Sequence, residues 1–156
     1  AGAHHLASLA YVDASRIGIM GWSYGGFTTL HALTTPDTPF AAGIAGAPPT
    51  DYRLYDTHYT ERYLGLPSAA PEAYRVSNVT TYAAQATRPL LLIHGLTDDN
   101  VYFQHTLQLA DALYMAGKPY EFMPMLGTHM AGSSDPRVKL NQQQRMMEFF
   151  ARHLRP

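Results

Sequence analysis

Three residues carry the chemistry this sequence is equipped to do: Ser23, Asp98 and His129, met in that order along the chain. A serine hydroxyl is a weak nucleophile at neutral pH. It needs a base within hydrogen-bond reach, and a third group that fixes the tautomer of the base and balances its charged form. Ser23 stands in Gly21-Trp22-Ser23-Tyr24-Gly25-Gly26, which fits G-x-S-x-G, the pattern of a sharp turn between strand and helix that lifts one serine. Gly21 and Gly25 are expected to leave room for that turn, since side chains there would meet neighbouring backbone. His129 would take the proton from Ser23 and return it to a leaving amine, with Asp98 orienting the imidazole. The backbone N–H of Tyr24, directly after the nucleophile, would hold part of the developing oxyanion.

The elements that must position these residues are legible as alternating apolar and helical stretches. Arg16-Ile17-Gly18-Ile19-Met20 predicts a short buried parallel strand running into the turn, and Phe27 to Leu33 a helix stopped by Pro36. A short helix is expected within Ala3 to Ala10. Phe40 to Ala47 predicts a second strand ended by Pro48-Pro49, and Pro89 to His94 a third, the most apolar run in the chain. Asn78 to Thr87 reads as a short helix or loop. Phe103, Leu107, Ala110 and Tyr114 recur at helical spacing before Gly117, and Tyr120 to Met125 predicts a fourth strand whose Pro124 suits an edge or a strand end. Asp135-Pro136 opens a last helix with an apolar side of Met146, Met147, Phe149, Phe150 and Leu154. Strand and helix alternation implies an α/β fold with a mostly parallel sheet of about four strands. Ligands meet such sheets at the carboxyl ends of the strands, where the loops with Ser23, Asp98 and His129 leave. Ser, then Asp, then His is the order of an α/β-hydrolase.

Other assignments are weaker on physical grounds. Asp99 neighbours Asp98 and is the alternative carboxylate. The adjacent His4 and His5 point about 100° apart on a helix and cannot easily share a metal ion, and His94 has no second ligand at suitable spacing, so no metal or cofactor is expected. The remaining histidines, His94 and His105 among them, are expected on elements or away from the rim that carries His129. The 156 residues suffice for one domain, and a net charge of -1 with scattered Lys and Arg offers no basic face for nucleic acid. There is no cysteine, no apolar run of the ~20 residues that cross a bilayer, and no signal-peptide pattern at the N-terminus. The compartment stays open, since the chain begins Ala1-Gly2 without an initiator Met.

The stretches Arg16 to Gly26, Thr60-Glu61-Arg62-Tyr63-Leu64-Gly65-Leu66-Pro67 and Leu92 to Val101 together resemble the catalytic domain of the prolyl oligopeptidase family. The second stretch resembles its dipeptidyl peptidase IV branch, and the resemblance runs from about Val12 to the C-terminus. It implies a serine exopeptidase that acts on peptides with a free N-terminus and releases dipeptides with Pro or Ala second. An acylaminoacyl peptidase or esterase on the same scaffold, or an inactive truncated piece, are the alternatives. In that branch a proline ring is held between tyrosine faces. Tyr55 and Tyr59 match those positions, Tyr24 and Val101 are expected to close the pocket, and Asn100 matches the residue that holds a substrate carbonyl. A flat apolar slot of this kind suits a compact ring and refuses a long side chain.

The sequence departs from the family's pattern at Met130, where Gly usually follows the histidine. The family's strands ahead of the nucleophile, with a loop tyrosine of the oxyanion hole, and its β-propeller with paired glutamates have no counterpart in these residues. Residues 1–156 are therefore expected to form one partial α/β-hydrolase domain, its C-terminal portion, with an uncovered edge on the first strand and weak activity or none by itself. The resemblance also implies a homodimer through the last strand and helix, which the apolar Met146 to Phe150 stretch permits.

Overall fold

Leu90-Leu91-Leu92-Ile93 is apolar at every position because both faces of the strand it forms are covered: all six residues of that strand are buried. The computed structural model describes residues 1–130 and 135–155. Four strands, β1 (Gly18–Trp22), β2 (Ala42–Gly46), β3 (Leu90–Gly95) and β4 (Glu121–Met125), form one parallel sheet in the order β1-β2-β3-β4. Among the described residues there are six α-helices: α1 (Gly2–Ala7), α2 (Tyr24–Thr34), α3 (Thr57–Leu64), α4 (Pro71–Ser77), α5 (Gln104–Met115) and α6 (Pro136–His153). A 3₁₀ stretch, Val79–Gln85, leads into β3.

Side chains alternate across a strand, so β3 feeds two cores. Leu90 and Leu92 pack with Leu30 and Leu33 of α2 and Leu109 and Leu113 of α5. Leu91 and Ile93 face the other way, onto Met146 and Phe149 of α6. Burying Phe149 to 1 % exposure contributes roughly 2–3 kcal/mol. β2 is built from small residues because helices press on it: a Cβ on Gly43 would stand 2.6 Å from the Leu33 side chain.

The expected elements are present, with four differences. β1 starts two residues later than its apolar run, and it is an edge strand whose Met20 is exposed. α2 begins at Tyr24, immediately after Ser23, rather than at Phe27. On α5 the expected stripe is the wrong one: Leu107 and Tyr114 are exposed, while His105, Thr106, Leu109 and Leu113 are buried. The polar pair is tied to distant segments, Thr106 to His94 and His105 Nδ1 and O to Thr50, while His105 Nε2 makes no hydrogen bond among the described residues. The stretch after β2, to which the sequence assigns no element, forms α3 and α4 and contributes buried Tyr52, Thr60 and Tyr74 to the interior. α5 ends as Gly117 predicts: at φ 65° it lets its own N–H reach Tyr114 O and the Lys118 N–H reach Leu113 O, the paired bonds of a Schellman motif. α6 starts at Asp135, whose carboxylate accepts the Arg137 N–H, with Pro136 in the first turn. β4 is the other edge of the sheet, consistent with Pro124.

Candidate active site

The turn between β1 and α2 holds Ser23 at φ 56°, ψ −120°, a conformation that costs a non-glycine residue of order 1–3 kcal/mol. Two backbone bonds fix it there: the Ser23 N–H donates to Gly46 O (2.8 Å), and Ser23 O accepts the Phe27 N–H (3.0 Å). Its hydroxyl does not cap α2 and so stays available. Gly21 is required, because a Cβ there would lie 2.2 Å from Gly25 O. The second glycine of the pattern is a correction: a Cβ on Gly25 meets nothing within 4 Å, and the close approach belongs to Gly26, whose Cβ would lie 2.6 Å from Gly46 O.

The structure brings Ser23, His129 and Asp98 together at the carboxyl ends of β1, β4 and β3. Ser23 Oγ lies 2.9 Å from His129 Nε2, and His129 Nδ1 lies 2.8 Å from Asp98 Oδ2. An ionised carboxylate only accepts, so the Nδ1–H of His129 donates to Asp98 and its Nε2 is left to accept from Ser23. The other oxygen, Asp98 Oδ1, accepts the N–H groups of Asn100 and Val101, each at 2.9 Å. Asp98 is 5 % exposed, whereas its neighbour Asp99 is exposed, which separates the two carboxylates that the sequence left as alternatives. Such an array can move one proton from a hydroxyl to an imidazole while the carboxylate holds the ring. Tyr24 is the first residue of α2, so its N–H has no acceptor within the helix.

Three further residues, Trp22, Gly46 and Gly95, hold the histidine loop in place. The indole N–H of Trp22 donates to His129 O at 2.8 Å. Gly46 admits that indole, since a Cβ there would fall 2.0 Å from its ring. Gly95 lets the loop cross the end of β3, where a Cβ would stand 2.3 Å from Thr128 O. The glycines were visible in the sequence, but nothing there indicated what approaches them.

From Tyr24, the residue after Ser23, a chain of ring contacts runs through Phe27, Tyr52, Tyr55 and Tyr59 to Tyr63. Tyr24 and Tyr59 share a cavity of about 200 Å³ with Phe27, Tyr52, Thr60 and Tyr63. Tyr55 and Tyr59 stand perpendicular, 5.6 Å between ring centres, so in this conformation they meet edge to face. The Tyr55 hydroxyl donates to Asn100 Oδ1 at 3.2 Å. Val101 is fully buried. Burial, reinforced by the neighbouring tyrosines, raises the Tyr52 phenol above its ordinary range and keeps it neutral. Two larger hollows, one of about 430 Å³ along β4 and α6 and one of about 550 Å³ between the segments that lead into β3 and β4 and the end of α6, are not lined by Ser23, His129 or Asp98.

His94 and His105 are closer to this site than the sequence implied. Strand alternation turns His94 to the α5 side of the sheet, where it is fully buried and its Nε2 lies 3.2 Å from Asp98 Oδ2. His105 Nδ1 accepts the Thr50 N–H at 3.0 Å, and the Thr50 hydroxyl donates to His105 O at 2.9 Å. Burial lowers both rings, His105 to about 4. The unfolded chain binds that proton near 6.5, so the stability due to neutral His105 is complete above pH 6.5 and is lost as pH falls toward 4. The loss amounts to about 3 kcal/mol at pH 4. Urea unfolding of the complete protein between pH 7.5 and 4 should therefore show a steeper fall in stability than the His105→Asn variant shows. Equal slopes would contradict the assignment.

Residues 1–156 match the Prolyl oligopeptidase family. The chain is 43 % identical over 150 residues to "Probable dipeptidyl-aminopeptidase B" of Metarhizium robertsii, covering 94 % of this chain and 16 % of that protein. It is 45 % identical over 124 residues to human dipeptidyl peptidase 8, covering 77 % of this chain and 14 % of that one. The crystal structure of Porphyromonas gingivalis dipeptidyl peptidase 4 superposes with a TM-score of 0.93 at 37 % identity, over 99 % of this chain and 22 % of that one. The chain thus spans less than a quarter of the length of each of these relatives. With a match along its whole length and the same fold at high identity, the chain belongs to the prolyl oligopeptidase family.

Proposed function

We propose that the protein to which these residues belong is a serine exopeptidase that releases N-terminal dipeptides with Pro or Ala in the second position. The observation that carries this is the hydrogen-bonded series Ser23, His129, Asp98 at the carboxyl edge of the sheet, in a chain similar to proteins named dipeptidyl peptidases. In the first step Ser23 Oγ forms a bond to the scissile carbonyl carbon as its proton passes to His129 Nε2. The carbonyl oxygen takes up the electron pair of the breaking π bond, with the Tyr24 N–H as one donor to it. Collapse breaks the C–N bond, and the Nε2 proton goes to the departing amine. Water then repeats the sequence on the ester, its proton going to His129, and the dipeptide leaves from Ser23.

Tyr55, Tyr59, Tyr24 and Val101 are proposed to surround the second residue of the substrate and Asn100 to hold its backbone. The tyrosine chain supports this as an apolar wall beside Ser23, on condition that the Tyr55 and Tyr59 rings separate when substrate enters. The low share of each relative covered, and the open side of β1, support placing these residues as the C-terminal part of a larger α/β-hydrolase domain. The open side of β4, with exposed Met147 on α6, supports a homodimer through that edge.

The complete protein should hydrolyse a Gly-Pro amide with a free N-terminus and leave its N-acetylated form nearly untouched. Preference for the acetylated amide or for short acyl esters would instead indicate an acylaminoacyl peptidase or esterase.

A further inference from the structure

The geometry points to His94 as a positioning residue: a fully buried ring whose N–H edge faces Asp98, steadies the carboxylate for His129 and sets the pH at which His129 becomes competent. This rests on the proposed role of the three residues above. Val101 O can only accept, and it lies 2.8 Å from His94 Nε2, so Nε2 carries the ring proton. The other ring nitrogen, Nδ1, then accepts from the Thr106 hydroxyl at 2.7 Å. Asp98 Oδ2 stands 3.2 Å from the same nitrogen, close enough to feel the positive edge of the ring, although the hydrogen bond itself goes to Val101 O. Phe103 meets the imidazole edge to face, 5.6 Å between centres, and the ring has no exposed surface.

The result is a closed loop of contacts behind the carboxylate. Val101 donates its N–H to Asp98 Oδ1 and gives its carbonyl to His94, while His94 reaches back to Oδ2. β3 carries His94 and α5 carries Thr106, so the loop between them cannot open without breaking these bonds together. Oδ2 is also the oxygen that receives His129. The His94 N–H edge and the His129 donor both draw on the negative charge of that oxygen, and each weakens the hold of the other. Without His94, Oδ2 would bind the charged form of His129 more strongly, and His129 would keep its proton to higher pH. Among the described residues, the titratable groups acting on His94 are Asp98 and His129, with His105 beside it on α5 and Asp51, from the loop after β2, acting on His105.

The test is the rate at which a fluorophosphonate reacts at Ser23 in the complete protein, followed across pH. In that reaction a bond forms from Ser23 Oγ to phosphorus, fluoride leaves, and the serine proton passes to His129, so the rate follows the base form of His129 without reference to the natural substrate. His94→Leu is expected to slow labelling about 10- to 100-fold, the range for a lost polar contact with a charged group, and to move the acid limb up by about one pH unit. His94→Gln, which keeps an N–H near the same place, should restore the midpoint. Where the leucine variant does not fold, Thr106→Val should move the limb in the same direction and Thr106→Ser should not. A merely structural role would reduce the amount of labelled protein and leave the midpoint unchanged. An unchanged midpoint in His94→Leu or in Thr106→Val, or a glutamine variant that behaves like the leucine one, overturns the inference. Failure of the unmutated protein to label at Ser23 would overturn the proposed role of the three residues instead.

Discussion

Ser23→Ala is expected to lower turnover by about 10⁶, on the scale of the handicap seen when a serine peptidase loses its nucleophile. The physical reason is that the Ser23 hydroxyl is positioned for one purpose. It makes no capping bond to α2, and its geometry is fixed by backbone bonds to Gly46 and Phe27 that alanine retains. The substitution loses the hydrogen bond to His129 Nε2, so unfolding free energy should fall by no more than about 1 kcal/mol, the net worth of one hydrogen bond. His129→Ala should cost a similar factor, and the double variant no more than either single one, because the two residues act in the same step. Turnover of a Gly-Pro amide by the purified variants, alongside denaturant curves, separates loss of chemistry from loss of fold. Retained turnover in Ser23→Ala would mean that another nucleophile does the work.

Asp98→Asn is the second large effect, with an expected loss in turnover of about 10⁴ by analogy with the same exchange in a serine protease triad. Asp98 Oδ1 faces two backbone N–H groups, those of Asn100 and Val101, so the asparagine oxygen will settle there. Its NH₂ group must then occupy the Oδ2 position, facing His129 Nδ1 and His94 Nε2. A donor facing Nδ1 drives the His129 proton to Nε2, and a protonated Nε2 cannot accept from Ser23. The variant should fold, label slowly with fluorophosphonate, and show little gain as pH rises, since the fault is the tautomer. Activity within tenfold of the parent would show that Asp98 does not hold His129 in the working form.

The sheet was largely legible because its strands are short and apolar. β3 could be placed to within a residue from Pro89-Leu90-Leu91-Leu92-Ile93-His94, since buried parallel strands need no polar face. The start of α6 was equally plain from Asp135-Pro136. α5 was read on the wrong face because Thr106 and His105 look polar in sequence, and what buries them comes from His94 and Thr50, far away along the chain. The same blindness hid His94. From sequence it ends a strand, and only the return of the chain through Asp98 to Val101 gives its ring two partners.

Within the site, residue type and order sufficed to select Ser23, Asp98 and His129, and the structure brings those three together. Trp22 had no such signal, because its role is a bond to a carbonyl across the sheet. Gly25 was expected to be sterically required and is not, while Gly26 is, since the nearest obstacle is β2 and not the turn itself. Tyr55 and Tyr59 are singled out by the family resemblance, which does not give their mutual angle.

The most direct test of the central claim is to treat the complete protein with a fluorophosphonate and locate the adduct by peptide mass spectrometry. The account predicts one adduct, on the peptide bearing Ser23, its formation abolished in His129→Ala. An adduct on another residue, or none on a folded and otherwise intact protein, would contradict it.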